Sequence, residues 1–237
     1  MMMRLMTVLT GMALLVPVAN AEPSSAVAFD LPTIRLLKSA DPARGEALAE
    51  EIRCDKCHGD NGVSDDEDDV NIAGMSASYM FKQLKDFQDE KREDKDMYKK
   101  VRSLKDDELA DLAVWFSNLE PAERAPDRIL TADIRKLITH GDPERLLKAC
   151  SSCHGRDGRG GQFDHPALAG QNRIYLVDSM LAFKEGDRTN DIYARMRYVS
   201  EALTEAEIEA LADYYAAELP EEDDDDEDED VDDSEEE

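Results

Sequence analysis

Apolar residues recur at helical intervals along most of the chain, and no useful stretch alternates strictly between apolar and polar residues. Near the end of each half, apolar residues stand at i, i+3, i+4 and i+7, which is one stripe of an amphipathic helix. The first stripe covers residues 109–116 and the second covers residues 208–215. Two further helices are predicted over residues 79–87 and 175–183. The pattern therefore predicts an all-α protein.

Helix-starting signals support this prediction. Thr204 and Glu207 have the spacing of a capping box at the start of the last helix. The pairs Asp41-Pro42 and Asp142-Pro143 each place proline in a first turn, where it is well tolerated. They predict one helical stretch before each cysteine pair.

The apolar pattern belongs to an internal repeat of about 96–99 residues, which indicates a duplicated domain because solenoid units are only ~20–50 residues long. The spacing within each matched set is the same in both halves. The matched positions are Cys54-x-x-Cys57-His58 with Cys150-x-x-Cys153-His154, Ala73-Gly74 with Ala169-Gly170, Tyr79 with Tyr175, Phe87 with Phe183, and Met97 with Met196.

The repeat divides the chain into segments. We predict a first domain over residues 39–120 and a second over residues 134–220, joined by a charged, proline-containing linker over residues 121–133. Residues 22–38 form a leader to which the sequence assigns no structure. Residues 221–237 contain 15 acidic groups and no basic group. Like charges repel and little apolar surface is available, so this tail is predicted to be disordered.

The N-terminus predicts a secretory signal peptide over residues 1–21. Arg4 supplies a positive charge, an apolar run follows over residues 5–18, and Ala19-Asn20-Ala21 is a small-x-small cleavage site. The alternative is a retained anchor, but the run is shorter than the ~20 residues that span a bilayer. We therefore expect a soluble periplasmic protein, with peripheral membrane association left open.

The formal net charge of −28 favours partners with basic docking faces and disfavours nucleic acid, whose phosphates would be repelled. Residues 1–220 carry −13 of this charge, so the acidity is general. Adaptation to high salt is an alternative explanation of the same composition.

All four cysteines lie in the two Cys-x-x-Cys-His motifs, a spacing that attaches c-type haem through two thioethers and supplies a histidine ligand to iron. A zinc site would bring its second cysteine pair much closer, and a thioredoxin-like pair requires a βαβ context. Two local disulfides would leave the repeated histidine unexplained. The predicted cofactors are two haem c groups, attached through Cys54 and Cys57 and through Cys150 and Cys153. His58 and His154 are the predicted iron ligands.

A sixth ligand is sought among the methionines. Only Met97 and Met196 occupy equivalent positions, and both lie in polar stretches where a core methionine is unexpected. Met80 and Met180 fit apolar helical patterns, and Met75 has Gln171 as its counterpart. We predict that Met97 completes the first iron site and Met196 the second. His140, His165 and the acidic run at residues 65–69 are interpreted as surface or loop features, although His165 precedes Pro166 and could lie near the second haem.

Together these motifs resemble the dihaem cytochrome c4 family over residues 40–219. The second half is the closer match, through Pro166-Ala167-Leu168-Ala169-Gly170-Gln171, Met196 and the run from Phe183 to Asp191. The resemblance implies two tandem class I cytochrome c domains, each wrapped around one covalently bound haem and packed against the other. It also implies that a proline carbonyl accepts the hydrogen bond of the ligand histidine. Pro166 fits this role, whereas the first half has Val70 there.

The expected function is one-electron transfer rather than catalysis. The carrier would connect a quinol-oxidising complex or a periplasmic dehydrogenase with a terminal oxidase or similar acceptor. One alternative is the haem subunit of a flavocytochrome c sulfide dehydrogenase-type complex, with a flavoprotein partner. A dihaem peroxidase would need one open iron. A dihaem thiosulfate dehydrogenase would need a cysteine ligand, and the chain has no fifth cysteine.

Overall fold

The computed structural model describes residues 30–125 and 130–217, and its regular elements within them are helices together with three isolated β-bridges. The predicted signal peptide and acidic tail lie outside these residues. The first half contains α1 (Leu31–Ser39), α2 (Pro42–Glu51), α3 (Asp55–His58), α4 (Ala77–Gln88), α5 (Lys95–Val101) and α6 (Asp106–Ser117). The second half contains α7 (Ala132–Thr139), α8 (Ser151–His154), α9 (Arg173–Glu185), α10 (Arg195–Ala202) and α11 (Glu205–Tyr215). The all-α prediction is confirmed.

Several helix starts follow the local sequence. The Asp41 side chain accepts a hydrogen bond from the Ala43 amide, and Pro42 occupies the first turn of α2. Thr204 and Glu207 form the predicted capping box of α11, in which each side chain binds the backbone amide of the other residue. These caps satisfy amide groups that the first turn of a helix leaves without partners.

The Asp142-Pro143 pair opens only a single 3-10 turn, Pro143–Arg145, instead of the predicted helix. Leu146 then adopts a left-handed conformation, and the Asp142 and Leu147 backbones bond to each other, which closes the turn. The Arg145 guanidinium stabilises this geometry through the carboxylates of Asp142 and Glu207. The helix that precedes the second cysteine pair is therefore α7, which begins earlier in the chain.

The first core is centred on the crossing of α2 and α6. Gly45 permits close contact there, because a Cβ atom at this position would collide with the backbone carbonyl of Asp111. Ala49, Leu109 and Ala113 are buried at the same contact. Helix α1 begins in the predicted leader and ends at Ser39, the first residue of the predicted first domain, and its residues Leu36 and Leu37 pack against this core.

Polar side chains join the two halves. The Asn71 amide donates to Oε1 of Gln171 and the Gln171 side chain donates back to the Asn71 carbonyl, both at 2.8 Å. Asn172 donates to the carbonyls of Asp66 and Asp69, at 2.7 and 2.6 Å, and so holds the acidic loop against the second half. The backbones of Ala125 and Ala216 also bond. The halves thus meet through specific buried hydrogen bonds.

Candidate functional site

Both cysteine motifs open onto one cavity of about 840 Å³ between the helices. Each motif forms a four-residue helix, α3 or α8, directly after the first cysteine. This turn brings both cysteines and the histidine of a motif to the same surface. The lining includes every predicted site residue, namely Cys54, Cys57, His58, Met97, Cys150, Cys153, His154 and Met196.

The two motif histidines have equivalent hydrogen bonds. The Nδ1 atom of His58 lies 2.9 Å from the Val70 carbonyl oxygen, and that of His154 lies 2.9 Å from the Pro166 carbonyl oxygen. A carbonyl only accepts, so each Nδ1 carries the proton and each Nε2 keeps a lone pair for a metal. Burial lowers the pKa of both imidazoles, which keeps them in the neutral form that coordinates. The bond is therefore present at Val70 even though proline is absent there.

None of the four cysteines forms a disulfide, and the first cysteine of each motif is largely buried. Burial raises the pKa of Cys54 and of Cys150 to about 11. Within residues 30–125 and 130–217, no group of three or more His, Cys, Asp or Glu side chains is placed to hold a metal ion. Each motif thus offers two cysteines outside any disulfide and one histidine, which is the set that attaches one haem c.

Met97 and Met196 occupy matched places near the starts of α5 and α10, and both face the cavity. The Met97 amide is fixed by Asp94, the N-cap of α5, at 2.9 Å. Three other methionines also reach the lining, but Met75 and Met80 are buried in the first core. Met180 accepts a hydrogen bond at its sulfur from Ser200.

Two arginines at the cavity were missed by the sequence analysis. Arg92 and Arg188 lie over the rings of Phe87 and Phe183, at 4.6 and 4.5 Å from the centroids, and both donate to Oε1 of Gln83. No carboxylate of the described residues pairs with either guanidinium. Each arginine follows its matched phenylalanine by five residues, so a longer comparison of the two repeats would have found them.

Tyrosine hydroxyls lie beside these charges. Arg92 donates to Tyr175 at 3.0 Å, and Arg188 lies 3.5 Å from the Tyr79 hydroxyl. Burial alone would raise the pKa of Tyr175, but the two guanidinium groups hold it below its usual range. Positive charge without a carboxylate partner in an apolar cavity suits a ligand that carries acid groups of its own.

Tyr215 adds a further group to the second half of the cavity. Its side chain is 4% exposed, and its hydroxyl has no hydrogen-bond partner among the described residues. The matched residue in the first half is Phe116, which has no hydroxyl. The cavity therefore presents an apolar body, cationic groups and free imidazole nitrogens, and this combination fits haem, which has a flat apolar ring, two propionates and an iron.

Of the two remaining histidines, one is exposed and the other lines the cavity, as does part of the acidic run. His140 is exposed at the end of α7, as expected for a surface histidine. His165 lines the cavity, and its ring meets that of His154 edge-on at a centroid distance of 6.3 Å. Asp68 and Asp69 from the acidic run lie at the cavity, close to the first motif.

Comparisons with known proteins agree with this site. The cytochrome c family model matches residues 144–216. Cytochrome c4 of Pseudomonas aeruginosa is 32% identical, with 74% of this chain and 88% of that protein aligned. The chain belongs to the cytochrome c4 family. The crystal structure of reduced recombinant cytochrome c4 from Pseudomonas stutzeri superposes with a TM-score of 0.70 at 29% identity, covering 76% of this chain and 99% of the other.

A further relative of this chain is a thiosulfate dehydrogenase electron acceptor from Thiomonas intermedia. It is 30% identical, over 78% of this chain and 88% of that protein. Membership of the family establishes two haem c cofactors and the class I cytochrome c fold.

As a member of the cytochrome c4 family, the protein transfers electrons and is not an enzyme. Bound haem supplies a metal that gains and loses one electron, while the chain supplies ligands, charge and exclusion of water. None of the helices in the described part of the chain is long and apolar enough to cross a membrane.

Proposed function

We propose that the protein is a periplasmic one-electron carrier in which His58 and Met97 ligate the first iron, and His154 and Met196 the second. The observation that carries the proposal is the single cavity, which is lined by both motifs and by both matched methionines. The four cysteines provide the thioethers, two for each haem. The predicted signal peptide supports export, and the division into domains at residues 121–133 follows the repeat.

Fully ligated iron leaves no position for a substrate. A thioether binds ferrous iron better than ferric iron, so methionine ligation raises the reduction potential. The neutral imidazoles are held by carbonyl groups, which fixes the ring orientation and strengthens the histidine as a ligand. The protein would therefore pass electrons without making or breaking substrate bonds.

The electron donor is proposed to be a quinol-oxidising complex or a periplasmic dehydrogenase, and the acceptor a terminal oxidase or a similar protein. Asp68, Asp69, Asp94 and Asp96 line the first-domain side of the cavity. This charge, together with the net charge of −28, favours partners with a basic docking face.

A second candidate is service to one dedicated dehydrogenase. The relative from Thiomonas intermedia is named as a thiosulfate dehydrogenase electron acceptor, which favours a dehydrogenase as the donor. A flavocytochrome c sulfide dehydrogenase-type complex is the related alternative. Purification of the native protein with a bound dehydrogenase would support this role, and purification without one would support a free carrier.

Ligation is tested by spectroscopy on the full-length holoprotein. The ferric protein should show the weak far-red iron–sulfur band at the intensity of two haems. Met97→Ala and Met196→Ala should each remove about half of it, and carbon monoxide should bind each reduced variant much faster than the wild type. Met75→Leu and Met180→Leu are matched controls from the same cavity. A lost band in either control, or rapid carbon monoxide binding by the wild type, would contradict the assignment.

A further inference from the structure

An ion pair in the second half connects the segment of Met196 with the segment that supports His154. Nη2 of Arg195 lies 3.1 and 3.2 Å from the two carboxylate oxygens of Asp164, and its Nη1 lies 2.8 Å from Nε2 of His165. The Asp164 side chain is only 10% exposed, whereas Arg195 is 42% exposed. The guanidinium therefore covers a mostly buried carboxylate.

His165 completes this contact as a neutral acceptor. Its Nδ1 donates to the Gln162 carbonyl at 2.8 Å, so Nε2 is the nitrogen that receives the hydrogen bond of Arg195. The next residue is Pro166, whose carbonyl holds the Nδ1 proton of His154. Arg195 thus binds the two residues directly before this carbonyl, and Arg195 itself directly precedes Met196.

The first half has no such contact. The repeat aligns Asp164 with Asp68, His165 with Asp69, and Arg195 with Asp96. Three carboxylates cannot form an ion pair with one another and repel instead. The Met97 segment is attached differently, through Lys100, which donates to the carbonyls of Ile52 and Arg53.

We propose that Arg195 is a positioning residue for Met196, and that the pair Arg195–Asp164 holds the methionine segment in place at the second haem only. The two terminal nitrogens of Arg195 form a fork, with Nη2 bonded to Asp164 and Nη1 to His165, and this fork fixes direction as well as distance. Loss of the fork lets the segment that carries Met196 move away, so the sixth ligand of the second iron dissociates more often. This inference rests on the proposed ligation by His154 and Met196.

The test measures carbon monoxide binding to the reduced full-length holoprotein and the far-red band of the ferric form. Arg195→Gln should increase the binding rate about fivefold for one of the two haems, the range set by a partly exposed ion pair. Arg195→Lys keeps the charge but not the fork, and should fall between that variant and the wild type. Arg173→Gln, which removes the exposed pair with Asp213 in the same half, is the matched control and should leave both signals unchanged.

Asp164→Asn separates positioning from electrostatics, because it changes the local charge in the opposite direction to Arg195→Gln. Acceleration by both variants supports positioning, whereas opposite effects would overturn it in favour of a pure charge effect. A second outcome would also overturn the positioning role. If Arg195→Gln behaves as the wild type while Met196→Ala binds carbon monoxide rapidly, Met196 is a ligand but Arg195 does not position it. An unchanged far-red band in Met196→Ala would instead show that the proposed ligation itself is wrong.

Discussion

The ammonium nitrogen of Lys82 lies 2.5 Å from Oδ2 of Asp86, and each side chain is only 2% exposed. The same ammonium donates to the Asn190 carbonyl at 2.6 Å, and the Asn190 side chain donates to Asp86 at 2.7 Å. Burial lowers the pKa of Lys82, which records the cost of removing its charge from water. A buried ion pair on α4 therefore connects the first half to the segment before α10.

Removal of either partner should destabilise the protein strongly. Lys82→Met leaves the Asp86 carboxylate buried without its cation, and we expect a loss of about 3 kcal/mol in the free energy of unfolding. The double variant Lys82→Met with Asp86→Leu should recover most of this loss. Denaturant unfolding of the holoprotein measures both changes.

The control is Lys99→Met, which removes the exposed pair with Asp96 and should hardly alter the free energy of unfolding. Equal effects of Lys82→Met and Lys99→Met would refute the role of burial.

Haem attachment should follow the cysteine pairs. The denatured wild type should retain the mass of two haems, because thioethers survive unfolding. Replacement of Cys54 and Cys57 by alanine should remove one covalent haem, and the same change at Cys150 and Cys153 should remove the other. Mass spectrometry gives the count directly. Haem that dissociates from the denatured wild type would disprove covalent attachment.

The crossing of α2 and α6 should tolerate no side chain at Gly45. Gly45→Ala would place a methyl group against the Asp111 carbonyl, and the resulting separation of the helices should cost about 1–3 kcal/mol. Glu46→Ala, on the exposed side of the same helix, is the control. The comparison requires only thermal melting of the two holoproteins, and equal midpoints would contradict the close contact.

Stability at acid pH should depend on Glu207. Its hydrogen bonds to Arg145, both 2.9 Å long, lower the pKa of this carboxyl below its ordinary value of 4.5. The stabilisation is therefore complete above pH 4.5 and is lost as the pH falls through the lowered pKa. Because the Glu207–Arg145 pair is partly exposed, Glu207→Gln should lower the free energy of unfolding at neutral pH by up to about 1 kcal/mol. The variant should also lose less stability than the wild type as the pH falls.

Melting temperatures measured from pH 3 to pH 7 check this expectation. Glu205→Gln is the control, because Glu205 lies in the same helical turn and shows no bond to Arg145 in the structure. A decline in acid that is as steep in Glu207→Gln as in the wild type would exclude the contribution.

Truncation after Pro220 should leave haem binding and melting unchanged. The removed residues contain Val231 as their one strongly apolar side chain, so they can contribute little packing. If the tail steers a basic partner, the truncated protein should be reduced more slowly at low ionic strength and at nearly the wild-type rate at high ionic strength. Loss of haem on truncation would show a structural role instead.

The helical prediction succeeded where one local signal was sufficient. The middle helices are observed as α4 and α9, and the closing helices as α6 and α11, and each carries apolar residues at helical spacing. The pair Asp142-Pro143 carried the same signal as Asp41-Pro42 but opened a tight turn. Only seven residues separate Asp142 from Cys150, whereas twelve separate Asp41 from Cys54, so the second half has no room for a helix as long as α2.

Contacts between the two repeats could not be predicted from the sequence. Asn71 bonds to Gln171, and these two residues occupy positions that do not match each other in the repeat. A comparison of equivalent positions therefore cannot reveal such a pair. The candidate site was more accessible, because every predicted ligand stands at a matched position and all of them line the same cavity.

The shared cavity also bears on the reduction of the two haems. Charges interact more strongly inside a protein than across water. With the proposed ligation, we expect an electron on the iron beside His58 to make the addition of another beside His154 less favourable. Where this repulsion is strong, the two steps of a redox titration belong to the coupled pair and not to one haem each. We therefore expect the fully reduced protein to lose an electron more readily than the half-reduced protein does.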